Sequence, residues 1–220
     1  MSSVTENQRK VAEFLLQIQA VKLQPNDPFT WASGRKAPIY CDNRKTLSHV
    51  AVREGIQAAA VALVRERFPA AEAVVGVATG GIALGALVAA GCGLPFGYVR
   101  SEAKSHGLGN QVEGDLAMLR RVVVIEDLIS TGKSSLQAVQ ALRAAGIEVE
   151  GLVAIFTYGF PEAVAAFDAA ACPFAVLTHY GALLESAVDG GYIAPEDAQM
   201  LRSWSQDPVG WSERVRTLEA

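Results

Sequence analysis

Three short stretches of the chain, 73–77, 121–125 and 148–156, are rich in Val and Ile and show little polar alternation. An apolar run of strand length marks a strand covered on both faces. The first two runs are each followed by a Gly-bearing turn and then by Ala and Leu at helical spacing, over 82–90 and 134–145. The second helical pattern stops at Gly146, a residue suited to a helix C-terminus. Between them, 95–100 reads as another short strand. Strands alternating with helices predict an α/β fold with a parallel sheet flanked by helices, whose ligands bind beyond the carboxyl ends of the strands.

The two ends follow a different pattern. Residues 6–23 read as one helix preceding any strand, and 29–43 are dense in turn residues and aromatics. Beyond His179 the chain predicts short helices over 183–188, 195–204 and 209–218, with Asp207-Pro208 as a start signal for the last. We read 1–220 as one domain, in which 1–45 and 179–220 form or flank a cap over the sheet.

Composition narrows the classes. Half of the 220 residues are hydrophobic and 19% are charged, which suits a packed core and argues against disorder. The net charge of −4 supplies no footprint for nucleic acid, so an anionic ligand needs local cations or backbone N–H groups. The polar start carries no signal-peptide core, and the apolar runs break well short of a membrane span. A cytoplasmic protein without a membrane partner is expected. Cys41, Cys92 and Cys172 are odd in number and lack CxxC spacing, which predicts reduced thiols and neither a disulfide framework nor a zinc site.

The run from Val122 to Ser135 is the most informative. A buried strand leads into Glu126 and Asp127, then a turn of Ser130, Thr131 and Gly132, then a helix. Successive N–H groups at such a turn and helix start cradle a phosphate. The paired carboxylates would repel a phosphate but accept hydrogen bonds from vicinal hydroxyls. Together they suggest a sugar phosphate held at both ends. Ordinary turn and capping chemistry is the bland alternative. A P-loop is excluded, because Gly132-Lys133-Ser134 would need Gly at position 127, where Asp127 stands.

This strand, acidic pair and Thr-Gly turn resemble the ribosyl-diphosphate signature of the type I phosphoribosyltransferases. Two further segments resemble the orotate phosphoribosyltransferases within that group. One is Phe29-Thr30 with Ser33-Gly34; the other is the polar, Gly-punctuated loop carrying Arg100, Lys104 and His106. The resemblance covers most of the chain from Phe29 to Tyr180. It implies transfer of ribose 5-phosphate from phosphoribosyl diphosphate to orotate, giving orotidine monophosphate and diphosphate. It also implies Mg²⁺ bound through the diphosphate with no direct protein ligand, a mobile catalytic loop, and a homodimer sharing its sites.

On this resemblance the donor is held by Arg100, Lys104, His106, Glu126, Asp127, Leu128, Ile129, Ser130, Thr131, Gly132, Lys133 and Ser134. Arg100, Lys104, His106 and Asp127 carry the catalysis. Ser130 and Arg44 are the expected contacts to orotate, and Val77–Gly81 is the expected diphosphate loop. Some positions depart from the pattern: Ala32, Gly80 and Ser101 stand where other members carry Lys, and 157–160 lacks an Arg that helps read orotate in some relatives. A purine phosphoribosyltransferase, or a regulator that keeps the fold and senses the sugar diphosphate, are the alternatives.

Overall fold

A computed structural model describes residues 4–101, 111–115 and 120–219. Helix α1 (Glu6–Gln17) starts at Thr5, whose side chain accepts from the Gln8 N–H at 3.2 Å while the Gln8 side chain accepts from the Thr5 N–H at 3.0 Å. This reciprocal pair satisfies two N–H groups that the helix start leaves unbonded. The helix predicted over 6–23 ends early. Gln19 adopts a left-handed φ of 53°, and β1 (Val21–Leu23) then pairs antiparallel with β4 (Ile39–Cys41). Within the segment expected to be turns, β2 (Phe29–Thr30) and β3 (Lys36–Ala37) form a small hairpin. A 3-10 turn, Asn43–Ser48, leads into α2 (Val50–Arg67).

The main sheet is built from β5 (Ala73–Val77), β6 (Phe96–Val99), β7 (Val112–Glu113), β8 (Arg121–Ile129), β9 (Glu148–Thr157) and β10 (Phe174–His179). Among the described residues its order is β10-β9-β8-β5-β6-β7, parallel throughout except for β7. Val74, Val75 and the run Val122–Ile125 are fully buried, as continuous apolar strands require. The central strand exceeds its prediction: β8 continues to Ile129 because Leu128 and Ile129 stay in register with Phe156 and Thr157. The acidic pair therefore lies within a strand, not after it. The sequence reading passed over β10 and α5 (Pro161–Ala169).

Helix α3 (Gly80–Cys92) follows β5, and α4 (Lys133–Ala144) follows β8. The end of α4 matches its expected stop. Gly146, at φ 80°, bonds back to Arg143 O at 3.0 Å, and Ile147 N reaches Leu142 O at 3.0 Å.

Helices α6 (Tyr180–Asp189), α7 (Pro195–Gln206) and α8 (Pro208–Glu219) complete the chain and meet its beginning. Thr178 Oγ1 donates to Gln8 O at 2.8 Å, Arg9 pairs with Asp189 at 2.5 Å, and Lys36 N donates to Ser212 Oγ at 2.9 Å. Trp31 meets the buried Trp204 edge-on, with ring centroids 5.9 Å apart. The ion pair is exposed and stabilises little; the aromatic contact carries more of this junction.

Candidate active site

The carboxyl ends of β5 and β8 frame a cleft of about 490 Å³. One wall is Ala78, Thr79 and Gly80, where β5 turns into α3. The other runs from Glu126, Asp127 and Leu128 through Ser130, Thr131, Gly132, Lys133 and Ser134 to Gln137. The segments read as diphosphate loop and ribose-phosphate motif thus share one cavity. The first N–H groups of α4 have no partners within their own helix and belong to residues on this wall.

The two acids are not equivalent. Glu126 is 4% exposed; it accepts from Asp127 N at 3.0 Å and from Ser135 Oγ at 3.1 Å. Burial, reinforced by the neighbouring Asp127 charge, pushes its carboxyl up to about 8. Asp127 is half-buried, and its backbone carbonyl accepts from Asn43 Nδ2 at 2.6 Å. Asn43 is 2% exposed and belongs to the 3-10 turn, 84 residues earlier in the chain.

Gly132 has φ 79°, a left-handed conformation that glycine adopts without strain. A β-carbon there would come 2.8 Å from the Phe167 ring, so the residue serves the packing under the turn as well as its outer shape. Ile129 does not line the cleft. Its side chain is fully buried, so any contribution to the donor is limited to its backbone.

A second cavity of about 240 Å³ adjoins the first and shares Leu128 and Ser130 with it. Its other walls are Trp31, Ala32, Tyr40, Cys41 and Tyr158. Trp31 is fixed by its indole N–H, which donates to Ile39 O at 2.9 Å. The Cys41 thiol donates to Asn43 Oδ1 at 3.3 Å, and burial followed by the charges of Asp127 and Asp42 raises it far above its ordinary range. Asn43 therefore bridges a wall of the apolar cavity and the strand bearing the acids. A larger cleft of about 590 Å³, walled by Arg9, Glu185, Asp189 and Arg202 among others, lies between α1, α6 and α7, away from the strand ends.

The predicted cations are distributed differently. Arg44 is engaged by Asp42 at 2.7 Å, is largely exposed, and lines neither cavity. Arg100, just after β6, stands 3.6 Å from Glu113 of β7 and is likewise absent from the cleft wall. Lys104 and His106 lie outside the described residues. The sequence reading missed Asn43, Trp31 and Tyr158. Asn43 closes a stretch that resembles an ordinary turn, and the aromatics carry no periodic pattern, so no sequence signal marks them.

The chain is similar to known proteins over most of its length. Residues 47–177 match the phosphoribosyl transferase domain family. An orotate phosphoribosyltransferase of Bacteroides fragilis is 54% identical over 204 residues, covering 93% of this chain and 96% of that protein. The crystal structure of orotate phosphoribosyltransferase from Aeropyrum pernix superposes with a TM-score of 0.72 at 29% identity, covering 84% of this chain and 99% of that one. Leishmania donovani UMP synthase, at 23% identity and a TM-score of 0.75, shares the fold over 90% of this chain, which spans only 42% of that longer protein. Identity of 54% over nearly the whole length, together with the domain match, makes this chain a member of the orotate phosphoribosyltransferase family.

Proposed function

We propose that the chain transfers ribose 5-phosphate from phosphoribosyl diphosphate to orotate, forming orotidine monophosphate and diphosphate for pyrimidine nucleotide synthesis, with the donor in the 490 Å³ cleft and the base in the adjoining aromatic cavity. The observation that carries this reading is the contiguity of the two cavities through Leu128 and Ser130. A sugar phosphate in the first would present its anomeric carbon to a planar ring in the second, which is the positioning the transfer needs.

In this reading the N–H groups and hydroxyls of Thr131 and Ser134 hold the 5-phosphate, and Asp127 accepts the ribose hydroxyls. Glu126, buried behind it, supports Asp127 through the bond from the Asp127 N–H. As the anomeric bond breaks, the ribosyl ring gains positive charge and the diphosphate negative charge. The carboxylate of Asp127 favours the former; the turn 78–80 serves the latter, together with Lys104, His106 and Arg100, the last of which would have to leave Glu113 and turn toward the cleft.

Magnesium fits this donor set. Among the described residues no cluster of three His, Cys, Asp or Glu side chains could cage a metal. Mg²⁺ keeps several waters and binds largely through substrate phosphates, so here it would be held through the diphosphate of the donor with no direct protein ligand. The ion would neutralise charge on the leaving group. One domain with a cap formed by its ends, a homodimer with shared sites, and a cytoplasmic setting in which Cys41, Cys92 and Cys172 stay reduced complete the proposal.

The test is absorbance loss from orotate on mixing with phosphoribosyl diphosphate, with and without Mg²⁺. Metal-dependent loss matched by released diphosphate supports the reading. Tight donor binding without orotate consumption, or nucleotide formation from a purine base instead, would replace it.

A further inference from the structure

Tyr158 stands at the end of β9 beside the strand that carries Asp127, and its N–H bonds to Ile129 O at 3.3 Å. It forms one wall of the aromatic cavity. The residue is 4% exposed and its ring is locked on several sides. It stacks on Phe160 at 5.2 Å and 15°, and meets Phe156 at 5.3 Å and Trp204 at 5.7 Å nearly edge-on. Trp31 closes a further side at 5.4 Å.

The phenol oxygen nevertheless has no hydrogen-bond partner among the described residues. The neighbouring polar aromatics differ: the Tyr180 hydroxyl donates to Leu201 O at 3.1 Å, and the Trp31 indole donates to Ile39 O. Nor is the Tyr158 oxygen one of the wholly buried orphans, which are Ser186 Oγ and Trp204 Nε1. It keeps a small opening, and the cavity wall is where the residue meets free space. Leaving a polar group of a nearly buried residue unpaired is costly unless something completes it. Burial also raises the phenol well above its ordinary range, so it remains a donor at any physiological pH.

We propose that Tyr158 determines base specificity by donating a hydrogen bond from its hydroxyl to an oxygen of the anionic pyrimidine. The inference rests on the placement of the base in the aromatic cavity. Ser130 would be the second donor, on the side shared with the donor cleft. A rigid phenol suits this role because its direction is set before the base arrives, so little ordering cost accompanies binding.

Tyr158→Phe removes only the hydroxyl and leaves every ring contact in place. Measured beside the active wild-type enzyme, KM for orotate should rise about ten- to a hundredfold, as expected for a lost bond to a charged group. KM for phosphoribosyl diphosphate and the unfolding temperature should stay unchanged. A second variant, Ala32→Phe, fills the cavity from another lining residue and tests the placement itself. If Tyr158→Phe leaves KM for orotate unaltered while Ala32→Phe blocks orotate, the phenol proposal is overturned and the cavity assignment stands. If neither variant affects orotate, both fall. An equal loss for both substrates, or a lowered unfolding temperature, would make Tyr158 a packing residue and also overturn the proposal.

Discussion

The carboxylate of Asp127 fills the space beside Gly80, so that a β-carbon at position 80 would overlap its carboxyl carbon and both oxygens. The two residues come from adjacent parallel strands of the sheet, Gly80 where β5 turns into α3 and Asp127 near the end of β8. The absence of a side chain at 80 sets where this acid stands. A longer side chain at this position would have to displace the Asp127 carboxylate.

Gly80→Ala should therefore push the Asp127 carboxylate from its place while sparing the fold, since Ala is a better helix former at the start of α3. The expected result is a rise of roughly tenfold or more in KM for the sugar diphosphate with an unchanged unfolding temperature. Steady-state kinetics beside a thermal melt decide it.

Gly132→Val presents the opposite case. The β-carbon would enter the Phe167 ring and the valine would be held at positive φ, so the substitution should cost about 2 kcal/mol or more of stability. A lowered denaturant midpoint would show this. The proposed phosphate cradle is better tested at the exposed Thr131 and Ser134. Thr131→Val with Ser134→Ala should weaken donor binding by calorimetry and leave the midpoint alone.

Asn43→Ala removes the donor to the Asp127 carbonyl and the acceptor for the Cys41 thiol. A carbonyl left unpaired costs about 1–3 kcal/mol when buried, and this half-buried one should cost toward the lower end. Because this contact fixes the strand bearing the acid, kcat/KM for the donor should fall further than stability alone explains. Asn43→Asp keeps the acceptor but not the N–H donor; it should fail in the same way, and recovery of full activity in that variant would contradict the positioning role.

Glu126 makes stability depend on pH. Its carboxyl rises from an ordinary 4.5 to about 8 on folding, chiefly through burial, so between these values the folded chain binds a proton that the unfolded chain has released. The stabilisation is complete below pH 4.5 and is lost as pH climbs through about 8. Unfolding temperatures of the ligand-free protein should decline over this window, and Glu126→Gln should flatten the decline. A parallel slope in the variant would remove Glu126 as its source.

The sequence determined the elements whose fate is decided by neighbours along the chain. The Val- and Ile-rich runs could only be covered strands, Gly146 could end a helix at positive φ, and a turn with a following helix could be read after the acidic pair from its own residues. The early end of α1, the extension of β8 through the acids and the strand β10 depended on pairing partners tens of residues away, which no local pattern carries. The same holds for the site. Glu126 and Asp127 are adjacent in sequence, but only packing decides that one is buried against Ser135 while the other faces the cleft beside Gly80. Arg44 and Arg100 were expected to contact the ligands, yet Asp42 and Glu113 stand close enough to engage them. Asn43 and Tyr158 acquire their roles from contacts across the fold, because burial, hydrogen-bond satisfaction and charge pairing are properties of a three-dimensional neighbourhood.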